Sequence, residues 1–122
     1  MPVEASKYLE LVRDPGTQLL SPTKLASVFE LPQHELARLA GVHRNTMRLH
    51  PELPRVQATL IDLMHLLSAA LALQPDLQRA VFFIKNGPIA AFGYKSLMRL
   101  VAEGRAGDAV AYVESLASGF VG

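Results

Sequence analysis

Apolar residues recur along this chain at intervals of three and four rather than in alternation, and Pro and Gly cut the pattern into short segments. That periodicity predicts an all-α protein. A first helix is expected over 4–13, ended by Asp14-Pro15-Gly16, a turn tripeptide that cannot continue a helix. Ser21-Pro22 supplies an N-cap followed by proline at the first helical position. Leu25, Val28 and Phe29 then form an i, i+3, i+4 face, so a second helix is expected over 22–31. Pro54 opens a long helix over 55–73, closed by Gln74-Pro75-Asp76, and further helices are expected over 76–84, 96–103 and 108–117. Lys85 to Tyr94 reads as a Gly- and Pro-containing loop without Walker spacing, and Gly119 as the stop of the last helix.

The stretch 56–73 has about the length of a membrane span, but Gln57, Asp62, His65 and Ser68 interrupt it. The last three recur at every third residue and draw a polar stripe along one side. The expectation is an amphipathic helix buried on most of its circumference, in a protein that does not enter the membrane. Its apolar surface is wider than so small a chain covers alone, which points to packing on the preceding domain, on a second copy in a two-fold homodimer, or on both.

The segment from Leu31 to Leu49 has the grammar of a helix-turn-helix over 32–50. Ala37 is the small residue where two helices touch, and Gly41, four positions on, turns the chain without a Cβ penalty. Val42 is expected to plug the core after the turn and Met47 to face inward, while Leu36, Leu39 and Ala40 complete the apolar side of the first helix. The second helix then starts near His43 and stops before Pro51, presenting His43, Arg44, Asn45 and Arg48 outward. Arg grips guanine edges or phosphate, and Asn pairs with adenine, so these residues together with Arg38 are the candidate DNA-binding set. His50 stands where such motifs carry an apolar core residue, and Glu52 follows closely. A helix-turn-helix kept only for dimerisation or for holding a partner domain is therefore the alternative.

Composition narrows the picture further. The chain has 122 residues, 50% of them hydrophobic and 19% charged, which is material for one compact domain or two very small helical ones and not for a multi-domain enzyme. Twelve Lys and Arg against eleven Asp and Glu leave a net charge of +1, so any nucleic-acid binding must come from a local patch. Residues 38–50 provide one, with three Arg, two His and no acid. Zero cysteines exclude disulfides and thiolate chemistry. The N-terminus lacks the pattern of a secretory signal, so a cytoplasmic protein is expected. The carboxylates are scattered singly, His34, His43, His50 and His65 are spaced by nine, seven and fifteen, and no nucleophile elbow occurs. Neither an enzymatic activity nor a metal or other cofactor is expected.

From about residue 20 to its end the chain resembles the antitoxins of the Xre/MbcA/ParS family. The N-terminal part is similar to the family's Xre-like helix-turn-helix. Residues 80–122 are similar to its toxin-binding domain: an aromatic-containing helix, a Gly/Pro loop, a short helix, the step Ala102-Glu103-Gly104-Arg105, and a last helix ending in Ser118-Gly119-Phe120-Val121. Phe83 stands where the family usually has Trp, Phe92-Gly93 where it has Gly-Gly, and Lys95-Ser96 where it has Thr-Pro. The resemblance implies three regions: a helical region with the helix-turn-helix over 1–54, a helical connector over 55–79, and a toxin-binding domain over 80–122. It also implies a type II toxin-antitoxin system whose partner is a RES/ParT-like ADP-ribosyltransferase-fold toxin, with NAD belonging to the toxin and not to this chain. In that setting Lys85, Tyr94, Lys95, Arg105, Phe120, Val121 and the Gly122 carboxylate become candidate toxin-binding groups, the last three by entering the toxin's active-site cleft. The apolar tail could equally tuck back on its own core. A homodimer within a hetero-oligomeric complex and repression of its own operon are further implications. A stand-alone helix-turn-helix regulator without a toxin is the alternative from another class.

Overall fold

The structure, a computed structural model, describes residues 3–118. Among the described residues it is all-helical, with eight α-helices and no strand. The chain divides into two compact units, one over Ser6–Ile61 and the other from Asp62 onward together with the first residues of α1 (Val3–Val12), and the division falls within α5 (Pro54–Leu73). By length and composition α5 is apolar enough to cross a bilayer, with mean hydropathy 1.6, yet half of its most apolar window is buried within the protein itself. Along it Val56, Leu60, Leu63, Met64, Leu66, Leu67, Ala70 and Leu71 are buried, while His65 is exposed and Asp62 half-buried.

In the unit Ser6–Ile61, α1 leads through a turn at Pro15-Gly16 to α2 (Pro22–Val28), with the chain closed on itself where the Ser21 N–H donates to Val12 O. The Ser21 hydroxyl accepts from the Lys24 N–H at 3.2 Å and Pro22 sits in the first turn, the arrangement expected from Ser-Pro. Helix α2 stops at Val28, three residues short of the expected end. Glu30 takes φ 52°, and the Leu31 N–H reaches back to Ala26 O at 2.9 Å. This is a Schellman closure with glutamate in the left-handed position usually held by glycine, and Pro32 keeps Leu31 out of the helical region.

Helix α3 (Gln33–Ala40) closes in the same way, with Gly41 at φ 72° and the Val42 N–H donating to Ala37 O at 3.0 Å. There the sequence does carry the glycine that φ requires. Helix α4 (Arg44–Leu49) follows after a three-residue turn. Helix α2 packs on α3 and α3 on α4. Leu25, Phe29, Leu36, Ala37, Ala40 and Met47 are buried and supply the core, each large side chain stabilising the fold by about 1.5–3 kcal/mol. Val42 departs from expectation: it is half-buried rather than a core plug.

Gln57 ties this unit together. Its Oε1 accepts from the Leu20 N–H at 3.0 Å, and its Nε2 donates to Leu20 O at 3.0 Å and to Pro51 O at 2.7 Å. The entry to α2 and the exit from α4 are thereby fixed to the first turn of α5.

In the second unit, α6 (Leu77–Asn86) is capped by Asp76, whose Oδ1 accepts from the Arg79 N–H at 2.9 Å. It runs two residues beyond the expected end, so Lys85 and Asn86 are helical rather than part of the loop. Gly87 has an ordinary φ of −68°, but a Cβ there would lie 2.8 Å from Phe83 O and 2.6 Å from the Phe83 ring, so it is required by close approach and not by conformation. A 3₁₀ turn at Ala90–Phe92 leads to α7 (Leu97–Ala102), capped by Ser96, and to α8 (Ala106–Ala117), which begins two residues earlier than expected. Helix α6 packs on α7 and α7 on α8, burying Ala80, Val81, Ile84, Leu97, Leu100, Ala109 and Val113.

Replacing Gln57 with Ala is expected to lower the unfolding free energy by about 1–3 kcal/mol, because both backbone groups of buried Leu20 lose their partner. Urea denaturation measures it; an unchanged midpoint would show that the clamp contributes nothing.

Candidate functional site

The strongest candidate is built on the α3–α4 pair. The turn between these helices is fixed at Gly41, whose carbonyl accepts from Arg55 Nη1 at 3.2 Å. His43 then caps α4, its Nδ1 accepting from the Asn45 N–H at 3.1 Å. Because Nδ1 is occupied as an acceptor, the neutral ring carries its proton on Nε2 and presents a donor outward. Met47 is 1% exposed and anchors α4 to the core. That anchoring leaves Arg44, Asn45 and Arg48 exposed, with Arg44 and Arg48 one turn apart on the same side. Arg38, on α3, is exposed as well. His34, Arg38, Val42, His43 and Arg44 line a shallow depression of about 380 Å³. Val42 contributes an apolar wall to it instead of filling the core. The four residues expected to face outward, His43, Arg44, Asn45 and Arg48, and with them Arg38, are therefore exposed and carried by one helix pair.

Their electrostatic setting distinguishes them. Arg38, Arg44 and Arg48 form no ion pair with any described residue. Several cations elsewhere are engaged internally: Arg13 meets Glu10 at 3.2 Å, Lys95 and Arg99 meet Glu103 at 3.0 and 3.1 Å, and Arg105 meets Asp108 at 2.9 Å. An exposed guanidinium with no internal carboxylate is a donor fork free for an external anion. His50 is exposed, with Nδ1 3.6 Å from Glu52, so the acid that follows the basic stretch faces His50 and not the arginines.

The second group of sequence candidates has a different character. Lys95 is bound to Glu103, while Arg105 is bound to Asp108 and lies 5.2 Å over the Phe92 ring, which in turn meets Tyr112 edge-on at 5.8 Å. The aromatic and cation contacts hold the 87–95 loop onto α8, and Lys95 ties its end to the C-cap of α7. Tyr94, at φ 65° and 72% exposed, is presented to solvent, and Lys85 is half-buried near the end of α6. Phe120, Val121 and Gly122 lie outside the described residues, as does Gly119. The Phe92–Tyr112–Arg105 stack is not visible in the sequence because its members are separated along the chain. A Gly-flanked aromatic in a loop followed by an aromatic on the next-but-one helix is the only trace it leaves. Gln57 leaves a trace only as a polar interruption of an apolar helix.

Hydrogen bonds from Lys95, and then from Arg99, hold the Glu103 carboxyl below the usual carboxylate range. Its folded value lies below its unfolded one, so its contribution to stability is in place above the unfolded value and is lost as pH falls through the depressed folded value. A ¹³C titration should show Glu103 losing its charge at lower pH than a freely exposed glutamate, and Lys95→Met with Arg99→Met should return it to the ordinary range; an ordinary midpoint in the unaltered protein would refute the bridge.

In comparisons with known proteins, no family model, no curated protein and no solved structure matches the chain.

Proposed function

We propose that this chain is a DNA-binding antitoxin: α3 and α4 act as a helix-turn-helix that holds duplex DNA, and residues 80–122 bind and neutralise a toxin. The single observation that supports the DNA half is the unpaired set Arg38, Arg44 and Arg48 around an outward-facing α4, in a protein whose described ion pairs engage other arginines and lysines internally. In this reading α4 enters the major groove with Arg44, Asn45 and Arg48 toward base edges, while Arg38 and the Nε2–H of His43 meet phosphates.

The toxin half rests on the resemblance of residues 80–122 to the Xre/MbcA/ParS antitoxins. The partner is then a RES/ParT-like ADP-ribosyltransferase-fold toxin that uses NAD, while this chain itself uses no cofactor and works in the cytoplasm as a homodimer within the toxin complex. Tyr94 is the candidate residue best placed for a partner, since Lys95 and Arg105 are engaged within the chain.

Arg44→Ala combined with Arg48→Ala should weaken binding to duplex DNA from the chain's own upstream region by at least about tenfold, and Arg38→Ala should flatten the dependence of log K on log salt by about 0.9, the contribution of one phosphate. Fluorescence anisotropy across a salt series reads both, and unchanged affinity and slope would remove these arginines from the interface. For the toxin half, co-expression with the adjacent reading frame should rescue growth and allow copurification, and deletion of residues 119–122 should abolish rescue. Operator binding without copurification would favour the stand-alone regulator; copurification without DNA binding would leave a helix-turn-helix retained for assembly.

A further inference from the structure

Ser68, in the second unit, plays no part in either half of the proposed function. It is 8% exposed, on a helix, and its hydroxyl, bonded to no described residue, keeps contact with solvent. A helical Ser or Thr that does not point to solvent turns back onto the carbonyl four residues earlier. Thr59, on the same helix, does so, donating to Arg55 O at 3.2 Å. Ser68 instead lines a groove of about 660 Å³ between α5 and α8, within the size range of small-molecule pockets.

The groove has apolar walls, including Ala69, Ala72 and Val110, and three further polar residues, His65, Glu114 and Ser118, the last with its hydroxyl donated to Ser115 O at 2.9 Å. The Glu114 carboxylate forms no ion pair with a described residue, whereas Asp76 caps α6, Glu103 holds Lys95 and Arg99, and Asp108 holds Arg105. A hydroxyl, an imidazole and a carboxylate without partners among the described residues thus open into one cleft with apolar sides. The ligand chemistry that complements them is a cationic donor carried on an apolar body. An ammonium has three donors and no acceptor, so it can satisfy Glu114 by charge while offering donors to Ser68 Oγ and to a neutral His65 nitrogen.

We propose that the α5–α8 groove is a binding site for a small organic amine with an aromatic or aliphatic body, the ammonium held by Glu114, Ser68 and His65 and the body lying against Ala69, Ala72 and Val110. The site shares no residue with the α3–α4 face, so either assignment can fail without the other.

The test is a ¹H–¹⁵N titration of the full chain with 2-phenylethylamine, and with phenylacetate as the isosteric anion. Saturable shifts at Ser68, Ala69, Val110 and Glu114 with the amine, and none with the anion, are expected. Glu114→Gln should weaken the amine about tenfold, and Ser68→Ala about threefold, with dispersed spectra as the control for folding. Ala72→Leu, which leaves Glu114 in place and fills the cleft, should abolish saturation. Equal shifts from phenylacetate, shifts mapping elsewhere, unaltered affinity in Glu114→Gln, or no saturable shift with the amine would each overturn the proposal.

Discussion

A side-chain amide offers one acceptor and a pair of donors, and Gln57 commits all of them to backbone groups, the N–H and carbonyl of Leu20, 37 positions away, and the carbonyl of Pro51, 6 positions away. Leu20 sits at the entrance to α2 and Pro51 just past the end of α4, so a single side chain on the first turn of α5 sets where both ends of the three-helix segment lie. Apolar burial beneath α2, α3 and α4 is non-directional and would tolerate sliding. The directional bonds of Gln57, with that of Arg55 to the Gly41 carbonyl, select one arrangement, and the α3–α4 face takes its orientation within that unit from them.

On that framework the exposed chemistry follows from where carboxylates are absent. Net charge is near zero, yet the charges are unevenly used. Close to the 87–95 loop and α7, the acids Glu103 and Asp108 neutralise their basic neighbours and convert them into struts. Along α3 and α4 no acid reaches Arg38, Arg44 or Arg48 among the described residues, so the same residue type remains available to an external anion. A surface ion pair adds little to stability, but it removes a guanidinium from the set of groups that can recognise something else.

Much of the helical plan was legible in local chemistry. Ser21 is the cap that Ser-Pro announced, Asp76 and Ser96, expected as first helical residues, cap their helices from one position outside, and Gly41 takes the left-handed turn that its position between α3 and α4 requires. The early end of α2 was not legible, because Glu30 occupies a conformation that sequence rules reserve for glycine. The extension of α6 through Lys85 and Asn86 was hidden by Gly87, which reads as a loop signal but serves to let the chain pass Phe83. Of the candidate site, the outward set on α4 could be read from helical spacing. The half-burial of Val42 and the engagement of Lys95 and Arg105 could not, since each depends on residues brought near only by the fold. The polar stripe of Asp62, His65 and Ser68 was visible as a pattern, but not that Ser68 would be largely covered and line a groove beside α8.

The most direct measurement of the central assignment is a nuclear magnetic resonance footprint of the full chain on a duplex from its own upstream region. Amide shifts concentrated in residues 38–48, with slight effects elsewhere in Ser6–Ile61 and none in residues 80–118, are the expected result. Shifts spread over the surface without focus, or confined to residues 80–118, would contradict the assignment of the free arginines to DNA.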